Sequence, residues 1–167
     1  ITEELDQADL LIVNTCSFIQ SAKEESIDAI LQAAEIKSRK EGCKLLVTGC
    51  LPERYRDELA RGLPEVDAFV GVNQYGKIVD IVNRMFEGEH IAEFVERAAL
   101  PLGRVRTTPK HLAYVRIAEG CDHACAYCAI PSIRGPYRSR PMEEIVEECK
   151  QLIADGVKEI VLIAQDT

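Results

Sequence analysis

The sequence predicts an α/β fold in which parallel strands are covered by helices, and three observations predict it. Short apolar, partly β-branched runs recur at 9–15, 44–48 and 68–72, the pattern of strands buried on both faces. Between them lie segments with apolar residues at helical spacing, and an order of strand, helix, strand, helix is that of β-α-β units. The chain can also afford a core: of its 167 residues 47% are hydrophobic and 29% charged, an ordinary foldable balance.

The first run, D-L-L-I-V-N-T, reads as a buried parallel strand. Ser21-Ala22-Lys23-Glu24 then supplies a capping-box pattern, and Ile27, Ile30, Leu31 and Ala34 recur at helical spacing until Gly42. The run 44–48 (K-L-L-V-T) is a second strand followed by a short helix over 53–61, and 68–72 is a third followed by a helix over 78–86. From Gly88 to Lys110 the periodicity weakens and Pro101, Gly103 and Pro109 appear, which marks a linker. The run 112–118 (L-A-Y-V-R-I-A) opens a new strand and leads into a cysteine-rich loop. Pro141 then begins a helix with Glu143 and Glu144 in its first turn, where carboxylates meet the positive end of the helix dipole. Gly156 ends it and 159–164 is the next strand. The expected organisation is therefore an α/β domain over 1–87, a linker over 88–111 and a second β-α-β unit over 112–167.

Composition narrows the function classes. The longest apolar stretches, 10–13 and 160–164, are far short of the roughly 20 residues a bilayer requires, so no membrane association is expected. No charged-then-apolar leader is visible, which points to a cytoplasmic chain. Seven cysteines then read as thiols, metal ligands or redox groups in preference to a disulfide framework. Charge is unevenly spread. Residues 1–87 hold 10 Lys/Arg and 16 Asp/Glu, net −6, whereas 97–140 hold 8 Lys/Arg and 2 Asp/Glu, net +6. The basic stretch surrounds the cysteine loop and suits an anionic cofactor, a nucleic acid or plain solvent. The start at Ile1 and the stop just after an apolar run lead us to expect a piece of a longer protein.

Cys121, Cys125 and Cys128, in G-C-D-H-A-C-A-Y-C, carry the strongest chemical signal. Three thiolates in one loop can wrap three corners of a cuboidal iron–sulfur cluster, whose ligands are characteristically cysteine sulfur. Three ligands for four irons leave one iron open to substrate or cofactor, the logic that separates catalytic metal sites from closed ones. The alternative is zinc with His123 or His111 as fourth ligand, but only Cys125 and Cys128 make a C-x-x-C pair where zinc loops usually have two. Cys43 and Cys50 bracket a strand, and seven residues at about 3.3 Å each separate them by roughly 23 Å. Cys43 and Cys149 are accordingly expected as small buried hydrophobes. Cys16 and Cys50 both follow strands, at the edge where open α/β sheets place their sites.

C-D-H-A-C-A-Y-C resembles the signature of the radical S-adenosylmethionine enzymes. The following I-P-S-I-R-G-P-Y-R-S-R-P is similar, more narrowly, to the methylthiotransferases among them. Upstream, V-N-T-C-S-F-I-Q-S-A-K-E-E-S, V-T-G-C-L-P-E-R and P-E-V-D-A-F-V-G look like the amino-terminal domain of that family, so the resemblance covers essentially the whole chain.

The resemblance implies a truncated, flavodoxin-like parallel α/β domain lacking its first strand, followed by the first β-α-β of a partial (β/α) barrel. It implies two 4Fe-4S clusters, one on Cys121, Cys125 and Cys128, the other on three amino-terminal cysteines of which Cys16 and Cys50 match two. The third has no counterpart here, so the second cluster is expected to be incomplete. S-adenosyl-L-methionine is the implied cofactor, with Tyr127 and Gln165 beside it, and Asp166 lies near the same pocket. No residue is assigned as catalytic.

In that family a radical abstracts hydrogen from an unactivated carbon, sulfur is inserted, and a second S-adenosylmethionine methylates it; the electron comes from a donor such as flavodoxin. Two substrate branches exist, a tRNA adenosine and an aspartate of a small-subunit ribosomal protein. N-T-C-S-F-I-Q-S-A-K-E-E-S-I-D-A-I and the closing Q-D-T look more like the ribosomal-protein branch. An acidic amino-terminal domain also suits a basic protein better than a polyanion. The rival classes are a zinc-stabilised adaptor and a ferredoxin-like electron carrier. Arg134, Arg138 and Arg140 are expected to be solvated, and His90 and His111 are assigned nothing.

Overall fold

The computed structural model describes residues 2, 4–94 and 105–167. The chain divides into two compact units, 1–101 and 102–167. Pro101 and Gly103, in the middle of the expected linker, and Arg97 and Arg104 of the basic stretch lie outside the described residues.

In the first unit β1 (Leu10–Thr15), β2 (Lys44–Gly49), β3 (Ala68–Val70) and β4 (Ile91–Glu93) form one parallel sheet in that order. β4 falls inside the stretch read as linker; three residues are too few to establish a period, and the strand is held by pairing Ala68↔Ile91 to Val70↔Glu93. Helices α1 (Gln20–Arg39) and α2 (Cys50–Gly62) pack Ile30, Ala33 and Leu51 against Leu11, Leu45, Val47 and Phe69 on one face. Helix α3 (Ile78–Phe86) packs Ile81 and Met85 against Leu46, Ala68 and Val70 on the other. Both faces of β2 are therefore buried, as its uninterrupted apolar run requires. Cys43 lies in the first of these cores, 4% exposed.

One expectation about α1 is corrected. The helix begins one residue before Ser21, with Ile19 as its N-cap and no side-chain cap, so Ser21 is already inside and the capping box does not form. The buried stripe is Ser26, Ile30 and Ala33, while Ile27 and Leu31 remain exposed. Ser26 is spent on the neighbouring loop: its Oγ accepts the Cys16 N–H at 3.1 Å and lies within donating distance of Ala22 O (2.7 Å) and Cys16 O (3.1 Å).

In the second unit β5 (Leu112–Arg116) pairs in parallel with β8 (Glu159–Ile163), joined through α5 (Met142–Ala154), the expected β-α-β. Ala113, Val115, Leu152 and Val157 form its core, with Cys149 packed beside them. Between β5 and α5 the chain inserts β6 (Ala118–Glu119), the cysteine loop, α4 (Ile130–Arg134) and β7 (Arg138–Ser139). β6 and β7 pair antiparallel, so the loop leaves and returns at one place. Among the described residues no helix is long and apolar enough to cross a membrane.

Candidate metal centre

The cysteine loop is tied at its base and open at its tip. Beyond the β6–β7 pairing, the Cys121 N–H donates to Gly135 O at 3.2 Å and the Tyr137 N–H to Asp122 Oδ1 at 2.9 Å. Gly120 makes this closure possible: its φ is +78°, and a Cβ there would stand 2.5 Å from Gly135 O. Only glycine adopts that conformation and permits that approach at no steric cost. A further clamp comes from the end of β8, where Gln165 Oε1 accepts the Gly120 N–H at 3.0 Å.

A charged layer underlies the base. Glu119, 2% exposed, is paired with Arg116 and, at 3.2 Å, with Arg134 on α4. Arg140 donates to Arg116 O and Glu148 Oε2, both at 2.7 Å. The expectation that Arg134 and Arg140 are solvated is thereby corrected: with side-chain exposures of 23% and 10%, Arg134 braces α4 against Glu119 of β6 and Arg140 braces the end of the loop against Glu148 of α5. Arg138 sits in β7, half-buried. Buried carboxylates demand such partners, because an unpaired one costs several kcal/mol.

All three loop thiols are free. Cys121 is buried at the base, Cys128 is half-buried and Cys125 is exposed. Tyr127, between the last two, is 93% exposed. Around Cys121 three donor atoms converge: Cys121 Sγ, a His123 ring nitrogen and an Asp166 carboxylate oxygen lie within 4.8 Å of one another. The sequence suggests His123 only as a zinc ligand and Asp166 only as a pocket neighbour; their meeting joins positions 43 residues apart. His111 contributes only its carbonyl, which accepts the N–H groups of Lys158 and Glu159.

Cys16 and Cys50 belong to the first unit. The parallel register pairs Thr15 with Gly49, so each cysteine follows a paired residue on neighbouring strands at the carboxyl edge. Gly49, at φ +102°, allows the close contact: a Cβ there would stand 2.7 Å from Asn14 Oδ1 and from Thr15 N. Ser17, wholly buried, donates from Oγ to Cys50 O at 3.0 Å. Cys16 is exposed and Cys50 is 8% exposed. Nearby, buried Glu53 accepts the Val72 N–H at 3.1 Å and pairs with Arg56 at 2.9 Å. The sequence gives no spacing signal for the contacts that Ser17, Ser26 and Glu53 make with Cys50 O, the Cys16 backbone and the Val72 N–H, which lie on other elements.

The donor set is compatible with an iron–sulfur cluster at the loop. Cys121, Cys125 and Cys128 are uncommitted to any disulfide, thiolate is the characteristic ligand of such clusters, and the exposed Cys125 sits at the loop's solvent-facing tip.

Comparison with known proteins places these features. Residues 1–71 match the family described as "Uncharacterized protein family UPF0004", and residues 115–167 match the Radical SAM superfamily, whose members use S-adenosylmethionine and a 4Fe-4S cluster. The chain is 51% identical over 171 residues to the ribosomal protein uS12 methylthiotransferase RimO of Clostridium tetani, covering 100% of this chain and 38% of that protein. It is 47% identical to the protein of that name from Caldicellulosiruptor saccharolyticus, with 100% and 39% coverage. The chain thus spans under two fifths of the length of these relatives. Among solved structures, the radical S-adenosylmethionine methyltransferase TsrM from Kitasatospora setae superposes with a TM-score of 0.58 over 93% of this chain and 36% of that one. At 13% identity that likeness concerns the fold.

Proposed function

We propose that the chain belongs to the radical S-adenosylmethionine methylthiotransferase family and is part of an enzyme that attaches a methylthio group to an aspartate of the small-subunit ribosomal protein uS12. The observation that carries this reading is identity of about half over the whole chain to proteins bearing that name. A first domain that takes in β4, a second that opens near residue 112, and a cytoplasmic setting belong to the same proposal.

In this reading Cys121, Cys125 and Cys128 hold a 4Fe-4S cluster, and Cys16 and Cys50 supply two ligands of a second one. Bound there with S-adenosyl-L-methionine, the first cluster supplies one-electron cleavage of a sulfonium, using an electron from a small carrier of the flavodoxin type. The chain's residues do the positioning. Gln165, acting through Gly120, and the Glu119–Arg134 pair fix where Cys121 emerges, while Tyr127 flanks the cofactor from the exposed tip. The buried thiol at the base and the exposed one at the tip divide the work: one anchors, the other closes over what is bound.

Anaerobic reconstitution with iron and sulfide tests the site. About four irons are expected at the loop, lost in Cys125→Ala and retained in Cys43→Ala. Zinc retained with no visible absorbance would instead support an adaptor, and a cluster unperturbed by S-adenosylmethionine an electron carrier. The substrate is tested by mass spectrometry of uS12 and tRNA from cells lacking the whole protein. Loss of an increment of about 46 Da, H replaced by SCH3, is expected on uS12. Its loss from tRNA alone would overturn the ribosomal assignment in favour of a tRNA adenosine.

A further inference from the structure

We propose that Cys121, His123 and Asp166 form a mononuclear site for a zinc-class divalent cation, competent in protein without its cluster and mutually exclusive with that cluster. The spacing of the donors is the first argument. Bond lengths of about 2.3 Å to sulfur and about 2.1 Å to nitrogen and oxygen, at tetrahedral angles, require donor separations of about 3.4 Å for N···O and about 3.6 Å for S···O. The structure has His123 Nε2 3.3 Å from Asp166 Oδ2, and Cys121 Sγ 3.9 Å from that same oxygen. The third pair, Cys121 Sγ and a His123 ring nitrogen, lies within 4.8 Å, and a small swing of the exposed imidazole brings all three onto one ion.

The donor chemistry is the second argument. One thiolate, one imidazole and one carboxylate suit zinc or cobalt, whereas magnesium and calcium take oxygen. Position is the third. The donors stand at the tied base of the loop and the end of β8, where Gln165, the neighbour of Asp166, already grips Gly120. Cys121 is the buried member, while His123 stays accessible, so an ion has both an anchor and an entry route. Three protein donors leave a fourth position for water or for a thiol from the tip.

Binding exchanges the Cys121 thiol proton, released to solvent, for the metal; no electron moves. Cys121 is the one residue shared with the proposed cluster, which is why the two occupants exclude each other. That exclusion rests on the cluster reading, but the mononuclear site does not.

The test uses the whole protein containing this chain, stripped of iron anaerobically, in a Cys16→Ala, Cys50→Ala background so that only the loop unit is read. Co2+ is the probe. One ion per chain is expected, with the visible bands of four-coordinate cobalt and a thiolate-to-cobalt charge-transfer band, displaced by Zn2+. His123→Ala and Asp166→Asn should each weaken binding by roughly 10- to 100-fold, a loss of the size that even outer partners of a metal produce. Cys43→Ala should change nothing. His123→Cys, which exchanges one donor for another, should keep the ion and strengthen the charge-transfer band. Prior loading with Zn2+ should slow uptake of iron and sulfide in the parent but not in His123→Ala.

Failure to bind cobalt, or wild-type affinity and spectrum in both His123→Ala and Asp166→Asn, overturns the site. Cluster uptake unaffected by zinc overturns the exclusion. A protein that assembles the loop cluster yet fails the cobalt test keeps the enzymatic reading and loses this one; the reverse pattern does the opposite.

Discussion

The two units place cysteines by opposite means. In the first, Cys16 and Cys50 sit directly beyond register-paired residues of β1 and β2, and their surroundings are held by Ser17, Ser26 and the closely packed Gly49. In the second, Cys121 is buried at the tied base, and Cys125 rides on a loop whose tip carries a fully displayed Tyr127. A sheet edge presents ligands whose spacing is already set by backbone hydrogen bonds. A tied loop presents ligands that their occupant must gather, which leaves room for a cofactor to enter and for a second substrate to reach it. The difference accounts for a buried Glu119 with two arginines under the loop: the β6–β7 pairing that joins the loop's ends is only two residues long, and charge pairing and one glycine reinforce it.

The comparison breaks first at the two glycines. Gly49→Ala and Gly120→Ala each force a left-handed or wider backbone and a clash, a cost of more than about 3 kcal/mol. Gly49→Ala should lower iron binding at Cys16 and Cys50 while sparing the loop, and Gly120→Ala the reverse. Iron content and thermal melts of each variant check this, and equal loss at both sites from either change would dissolve the distinction.

Glu119→Gln comes next. It keeps the shape but removes the charge that Arg116 and Arg134 face, at about 1–3 kcal/mol. The expected outcome is faster proteolysis within 121–137 with the β1–β4 sheet unaffected, read by limited digestion and mass spectrometry.

Asp67 sharpens the contrast from the side of the first unit. Burial alone would raise its pKa, but Lys37 at 2.6 Å, the Leu45 N–H at 2.8 Å and Lys44 at 3.4 Å hold it below the ordinary carboxylate value. A carboxyl lowered on folding stabilises above the unfolded value, near 3.9, and that stabilisation disappears as pH falls through and below it. Asp67→Asn should therefore cost about 1–2 kcal/mol at neutral pH. The difference from the parent should shrink in melts taken below about pH 4.

The smallest effect is at the tip. Tyr127→Ala, at a fully displayed position, should move stability by less than about 0.5 kcal/mol while weakening S-adenosylmethionine binding in the reconstituted protein, measured by equilibrium dialysis.

Much of this was legible in the chain. Uninterrupted apolar runs announced β1, β2 and β3, Pro141 with Glu143 and Glu144 announced α5, and the cluster of Cys121, Cys125 and Cys128 announced a loop between strand and helix. Such signals survive because they depend on residues a few positions apart, whose geometry strand and helix periods determine. The short β4, the failed capping box at Ser21 and the burial of Arg134 and Arg140 were not legible, since each depends on what packs opposite.

By itself, then, the sequence determined the alternation of strands and helices, the two cysteine-bearing regions and the glycines at which the backbone must turn. Only the tertiary structure decided that Cys16 and Cys50 leave adjacent strands, that Glu119 meets Arg134, and that Asp166 reaches Cys121 and His123. Those meetings are settled by strand register and by the closing of a loop on itself, and neither leaves a local pattern in the order of residues.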